Sequence, residues 1–280
     1  MAKAAERTRL MAGELRMAAM SRARSGWAVI VATLAGFGFG PGGGTTPIAT
    51  ARAASDSTAR ERQPVVTFRD DFNGTLASGW TWVRENPHTW HLNSDCLSIH
   101  LETGGLIRGS NDCRNLLIRP VGSRDFIVEA RLEGYFAAKI NQAMIVLYRD
   151  DDDYLRCGLG RWYDDRLRLL FVHETGGQIR AQPADLPEWR SATLWVRIVK
   201  EGPKASFLCC ADGVSWQPMA EIADLGFEPT HVGLVAFEGR FSANASFAFY
   251  DYFEVREYVS ASEPRSEPGQ VGPHKLRGGR

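Results

Sequence analysis

Apolar residues recur at every second position from about Val65 to Val255, and this period restricts the fold more than any other feature of the chain. The stretch DFIVEARLEGYF, which begins at Asp125, places mostly apolar side chains at even-numbered positions and mostly charged ones at odd-numbered positions. Successive side chains of a strand point to opposite faces, so this period is typical of strands. Glycine-containing turns separate the runs, and no long stretch carries a helical stripe. The sequence predicts an all-β fold, either an antiparallel sandwich or a barrel.

The first 54 residues have the layout of a secretory signal peptide and leader. Arg22 and Arg24 precede the uncharged run 27–40, and small residues follow before position 54. Because the run is shorter than the ~20 apolar residues of a membrane span, we expect no stable span, with a short signal anchor as the alternative. Met20 is an alternative start. We therefore expect a secreted protein, located outside the cell or in the periplasm.

Composition divides the rest of the chain into a linker at 55–64, a sandwich domain at 65–258 and a disordered tail at 259–280. The tail is polar and rich in Gly and Pro. Residues 1–54 hold seven of the 33 basic and two of the 33 acidic residues, so their removal leaves 26 basic and 31 acidic. No basic stripe remains that would attract phosphates, which argues against nucleic acid as a partner.

Five cysteines are too few for a disulfide scaffold, and none has zinc-ligand spacing. In an exported chain we expect a bridge between Cys96 and Cys113, because one hairpin would bring them together. Cys209 and Cys210 are neighbours on one predicted strand and must point to opposite faces. The odd number leaves at least one cysteine unpaired or in an intermolecular bridge.

Several segments follow one another in an order that resembles a known family. They are FRDDFNGTLASGWTWVRENPHTWHLNSDCLSIHL, RNLLIRP, DFIVEARL, NQAMIVLYRDDDDYLRCGL, LWVRIVKEG, ADGVSWQPM, HVGLVAFEG and FAFYDYFEV. Over residues 66–257 the chain resembles the concanavalin A-like sandwich at the C-terminus of family 43 β-xylosidases, and its DUF1349-type relatives. The resemblance implies a two-sheet antiparallel jelly roll in a carbohydrate-related setting. The preceding residues are too few for the family's five-bladed catalytic propeller, so the resemblance does not extend hydrolase activity to this chain.

The stretch GWTWVRENPHTWHL, residues 79–92, holds the first candidate ligand-binding residues: Trp82, Arg84, Glu85 and Trp90. A partly exposed indole can stack on a pyranose ring, while arginine and glutamate can bond its hydroxyls. Trp90 is the candidate platform, and a bend before Pro87 is needed to bring Arg84 and Glu85 to one side. The alternative is that the tryptophans fill one end of the sandwich and Arg84 pairs with an acid.

A second candidate group lies on two further predicted strands. Gln142 and Tyr148 belong to one row of a strand, and Asn115 begins a similar row on the NLLIRP strand. If both rows line one groove with Trp90, the chain has a shallow sugar-binding cleft. The alternative is that these side chains are tied to neighbouring strands.

Carboxylates provide the evidence for an enzyme, and it is weak. Glu129 and Glu133 share a strand face, and glycosidases need two carboxylates at the scissile bond. The ExDxxE signature of sandwich-fold glucanases is absent, and a Glu-x-Arg-x-Glu row is typical of a solvated face with charge pairs. The acidic run 150–153 could bind a structural calcium, but it fits an exposed loop more simply. We predict neither a catalytic pair nor a metal or other cofactor.

The most favoured function is therefore a carbohydrate-binding module whose partner is a polysaccharide. One alternative is a small glycoside hydrolase or lyase that uses groove carboxylates. Another is a structural module that docks to a second secreted protein.

Overall fold

The computed structural model describes residues 63–185, 193–239 and 246–259, and within these ranges the chain is built of strands without a helix. The strands are β1 (Gln63–Asp70), β2 (Thr81–Val83), β3 (Trp90–Leu92), β4 (Leu97–His100), β5 (Leu106–Ile107), β6 (Ser110–Asn111), β7 (Leu116–Pro120), β8 (Phe126–Tyr135), β9 (Asn141–Asp150), β10 (Asp153–Arg161), β11 (Leu167–Thr175), β12 (Gln178–Asp185), β13 (Thr193–Glu201), β14 (Lys204–Cys210), β15 (Gln217–Ile222), β16 (His231–Glu238) and β17 (Phe247–Val259). The all-β prediction is confirmed.

The strands form two large antiparallel sheets that pack face to face. The eight-stranded sheet has the order β15-β14-β13-β8-β17-β4-β3, with β1 also paired to β17. The seven-stranded sheet has the order β12-β11-β10-β9-β16-β7-β2. Strands β5 and β6 form a hairpin that pairs with neither sheet. The chain crosses between the sheets from β7 to β8 and again from β8 to β9, which gives the predicted two-sheet jelly roll.

The main core lies between the sheets and follows the period of two. Val128 and Ala130 of β8 face Ile145 and Leu147 of β9 across this core, and all four are fully buried. Their sequence neighbours point to the outer faces of the two sheets.

A second apolar layer covers the other side of the seven-stranded sheet, and we call this surface the apolar outer face. Its buried members are Leu106, Cys113, Leu116, Ile118, Met144, Val146, Tyr148, Tyr154, Leu170, Val172, Val235 and Phe237. Leu106 and Cys113 belong to the β5–β6 hairpin and its flank, so the hairpin packs on this face. Burial on both sides explains why β9 reads as a nearly continuous apolar run.

The predicted signal peptide and leader at 1–54 lie outside the described residues, as do most of the 55–64 linker and the tail after residue 259. Among the residues that are described, no helix has the length and hydrophobicity to cross a membrane.

The cysteines depart from the expected pairing, because all five are free and buried. Cys96 packs against Phe247 and Phe249 on the outside of the eight-stranded sheet. Cys113 lies in the apolar outer face on the opposite side of the sandwich. The expected Cys96–Cys113 bridge does not form in this structure, because the intervening segment carries Cys113 across to the other sheet.

Candidate functional site

The tryptophans of residues 79–92 close one edge of the sandwich. Trp82 lies on β2, the edge strand of the seven-stranded sheet, and Trp90 lies on β3, the edge strand of the eight-stranded sheet. Their ring centroids are 4.8 Å apart with the planes at 32°. Both indoles pack against the main core and are half-buried, so one side of the pair remains in solvent.

Glu85 fixes the orientation of the outer indole. The Trp90 Nε1–H group donates a hydrogen bond of 3.1 Å to Glu85 Oε1 at the surface. The backbone between the two tryptophans bends at Arg84, whose φ of 55° lies in the left-handed region. Because of this bend, Glu85 lies beside Trp90 while Arg84 points to the apolar outer face.

Asn115 holds the turn between β2 and β3 together and is almost fully buried. Its Oδ1 atom accepts the Asn86 N–H at 2.7 Å, and its Nδ2 group donates to Thr89 Oγ1 at 2.8 Å. Glu102 accepts from Asn86 Nδ2 and Thr89 Oγ1, each at 2.8 Å. Asn115 thus has its polar atoms engaged in the protein, and Leu117, two residues further on, lies in the main core. The Asn115 row therefore does not line one groove with Gln142, and of the two alternatives for Asn115 the structure fits the one in which the side chain is tied to the protein.

Arg84 and Tyr148 are joined through an acid of the 150–153 turn. Arg84 forms a two-pronged ion pair with Asp151, with nitrogen–oxygen distances of 2.7 and 3.1 Å, and its Nε–H donates to the Cys113 carbonyl at 2.7 Å. The Tyr148 hydroxyl donates to Asp151 Oδ1 at 2.9 Å. Burial and the bond to Asp151 raise the pKa of Tyr148, which keeps this hydroxyl protonated.

Gln142 lies on the apolar outer face beside an arginine that the sequence reading missed. Arg156 of β10 is 2% exposed, and its Nη1 group donates to Gln142 Oε1 and to Met144 Sδ. Residues 156–160 read RCGLG, so Arg156 is followed by two glycines on the same strand face, Gly158 and Gly160. This pattern was the signal for Arg156 in the sequence, because a charged residue followed by two glycines on one face of a buried strand is unusual.

The predicted residues therefore occupy two places. Trp82, Glu85 and Trp90 lie at the sandwich edge, and Arg84, Gln142 and Tyr148 lie on the apolar outer face, while Asn115 supports the turn. The acids of the 150–153 turn also have protein partners: Asp151 binds Arg84, and Asp153 accepts from Thr175 Oγ1 at 2.9 Å. The turn is thus tied to the sandwich.

The carboxylates considered for catalysis lie on the outside of the eight-stranded sheet, a surface that we call the charged outer face. Its ion-paired row consists of Arg69, Glu129, Arg197, Glu254 and Arg256. Glu129 is only 6% exposed and binds Arg197 at 2.5 Å and the Tyr252 hydroxyl. Glu129 and Glu133 thus share the outer face of the sheet, as the sequence predicts, but both are buried, whereas a solvated row was expected.

Comparison with known families identifies the sandwich. A family model described as the β-xylosidase C-terminal concanavalin A-like domain matches residues 69–256. The chain belongs to this family. The resemblance drawn from the sequence motifs is confirmed, and so is the concanavalin A-like fold.

Solved structures of this domain come from longer proteins. The GH43 BlXynB protein from Bacillus licheniformis is 23% identical with a TM-score of 0.61, and the match covers 68% of this chain and 39% of that chain. Xylan β-1,4-xylosidase from Bacillus halodurans C-125 is 21% identical with a TM-score of 0.58 and the same coverage. GH43B of the Bacteroides ovatus xyloglucan PUL is 20% identical with a TM-score of 0.53, covering 69% and 39%.

The concanavalin A-like domain described here spans about two fifths of the length of these relatives. At sequence identities of 20–23%, these matches show that the fold is shared and nothing more. Among curated proteins, none matches the chain.

Proposed function

We propose that the protein is a secreted carbohydrate-binding module whose ligand stacks on the Trp82–Trp90 pair. The observation that carries the proposal is the half-buried, oriented indole of Trp90, held by Trp82 at 4.8 Å and by Glu85 at 3.1 Å. A rigid aromatic surface binds a sugar ring with little loss of conformational entropy.

Two polar side chains near Trp90, one in space and one in sequence, can bond sugar hydroxyls. Glu85 has a second carboxylate oxygen, and His88 is exposed two residues before Trp90. A carboxylate and an imidazole accept and donate hydrogen bonds around the apolar ring face. The relatives named for xylan and xyloglucan make a β-1,4-linked pentose or glucose chain the first class of ligand to test.

Titration with xylo-oligosaccharides and with xyloglucan oligosaccharides tests the proposal by calorimetry. Trp90→Ala should weaken binding by about 1–3 kcal/mol, the range for losing an apolar contact of this size, with the fold retained. Trp216→Ala is the matched control, because Trp216 is also half-buried but lies under Arg197 on the charged outer face. Equal affinity of the Trp90 variant and the control would contradict the proposal.

A reducing-sugar assay on the same polysaccharides distinguishes binding from hydrolysis. We expect no release of reducing ends, because Glu129 is bound by Arg197 and Tyr252. Export is tested separately by mass spectrometry of protein recovered from the culture medium. The expected N-terminus lies near residue 54 or 55, and a chain that retains residues 27–40 would contradict cleavage.

A further inference from the structure

Arg156 is a buried charge in an apolar environment. On the outer face of the seven-stranded sheet its direct neighbours in register are Val146 of β9 and Val172 of β11. The partners of its Nη1 group, Gln142 Oε1 and Met144 Sδ, are both neutral. The Nε–H group is buried and has no hydrogen-bond partner. A guanidinium in such a place lacks the anion that normally offsets its loss of solvation.

The acids of the apolar outer face are already committed elsewhere. Glu174, which is fully buried, accepts the Arg108 N–H at 3.1 Å and the Tyr154 hydroxyl at 2.8 Å. Asp151 is ion-paired with Arg84. The rings of Phe237 and Tyr154, whose centroids lie 5.1 and 5.8 Å from the Arg156 guanidinium carbon, give only partial compensation.

We propose that Arg156 is the anchor of a second binding site, on the apolar outer face, for a ligand that carries a carboxylate. The planar guanidinium offers a carboxylate two parallel hydrogen bonds, one of them from the unpartnered Nε–H edge. The Gln142 amide, which binds the Nη1 group, can also bond a hydroxyl or carbonyl of the ligand. Phe237 and Tyr154 supply an apolar wall for the carbon skeleton.

The ligand enters by displacing the β5–β6 hairpin. Within the described sheets, strands β5 and β6 pair only with each other, and the chain before them is joined to β16 by a short bridge between Thr103 and Glu238. A lone two-stranded hairpin is marginally stable. Side-chain contacts hold it on the face: the Tyr154 hydroxyl donates to the Leu106 carbonyl, and Glu174 binds the Arg108 N–H. Such a segment opens at a lower free energy than the sheet beneath it.

The test uses sodium glucuronate as the probe, with glucose as its neutral counterpart and sodium acetate as a carboxylate without a sugar. Calorimetric titration and melting temperature are measured for the full chain. Glucuronate should bind and raise the melting temperature, whereas glucose should do neither at this site. If acetate competes, a free carboxylate suffices as ligand. If it does not, the ligand is a sugar acid.

Two variants test the role of Arg156. Arg156→Met keeps the apolar stem and removes the charge, and it should abolish glucuronate binding. Arg166→Met is the matched control, because Arg166 is an exposed arginine in the β10–β11 turn, and it should bind as the wild type does. Glucuronate binding to Arg156→Met within threefold of the wild type would overturn the proposal, as would the absence of binding of either carboxylate to the wild type.

A third variant covers the case in which Arg156→Met does not fold. Arg156→Lys keeps the charge but loses the planar fork, so it should bind glucuronate at least tenfold more weakly while circular dichroism stays unchanged. Wild-type affinity in Arg156→Lys would contradict a two-pronged carboxylate contact. Trp90→Ala should leave glucuronate binding intact, which separates this site from the platform at the sandwich edge.

Discussion

On the charged outer face, one row that runs across four neighbouring strands consists of four charged side chains. On the apolar outer face, the row that contains Arg156 has a valine on each neighbouring strand, so Arg156 is its single charge. In the first row, Arg69 of β1 lies opposite Glu254 of β17, Glu254 opposite Glu129 of β8, and Glu129 opposite Arg197 of β13. The two glutamates face each other directly, which would be unfavourable alone. The charged outer face therefore needs a compensating cation.

Arg256 supplies that cation from the next outward position of β17. Its Nη2 group lies 2.5 Å from Glu254 Oε1 and 3.7 Å from Glu129 Oε2. The flanking arginines are partly exposed, so solvent and salt screen the remaining repulsion between the two glutamates. Charges on this face are balanced by neighbouring charges, while the hydrogen-bond partners of Arg156, Gln142 and Met144, are neutral. The uncompensated buried charge of Arg156 is the basis of the proposed carboxylate site.

The largest difference between the faces should appear when one aromatic is removed from each. Phe237→Ala on the apolar outer face should lower the free energy of unfolding by about 3–5 kcal/mol, because the ring is buried and leaves a cavity. Trp195→Ala on the charged outer face should cost no more than about 1–2 kcal/mol, because Trp195 is half-exposed beneath Arg131. Urea unfolding measures both. Equal losses would show that the two faces are equally buried in solution.

A smaller effect is expected from loosening the hairpin that covers the apolar outer face. Glu174→Gln weakens the charged acceptor of the Arg108 N–H and the Tyr154 hydroxyl, and should cost about 1–3 kcal/mol. Hydrogen exchange of the amides of β5 and β6 should accelerate more than that of β9. Glu221→Gln, an exposed acid on β15, is the control and should change neither measurement. Unchanged exchange in the hairpin of Glu174→Gln would show that other contacts hold it.

The smallest effect concerns salt on the charged outer face. The Arg69–Glu254 pair, at 2.9 Å, should show a coupling of about 0.2–1 kcal/mol in a double-mutant cycle at low ionic strength. The coupling should fall towards zero in about 1 M salt, where the Debye length is near 3 Å. A coupling that persists at high salt would mean that this row is shielded from solvent, as the apolar outer face is.

Parts of the candidate site could be predicted from the sequence and parts could not. The row that includes Gln142 and Tyr148 was placed on one strand face by the period of two, and the structure puts both on the same outer face. The role of Asn115 stayed open between two alternatives, because its left-handed backbone (φ of 54°) and its bonds to Asn86 and Thr89 depend on a turn that no local pattern specifies. The expected bridge from Cys96 to Cys113 failed for a similar reason, since adjacency in sequence does not decide which sheet a segment packs on.

The sequence by itself determined that the chain is built of antiparallel strands, because alternation of apolar residues and the position of turns are local properties. The order of its motifs added the resemblance to this family and, with it, the sandwich. Only the tertiary structure decided that Trp82 and Trp90 meet across the edges of two different sheets, that Arg84 reaches Asp151, and that Arg156 is buried among valines. These contacts join residues on different strands or in separate turns. Their existence depends on strand order, and no strand carries that information alone.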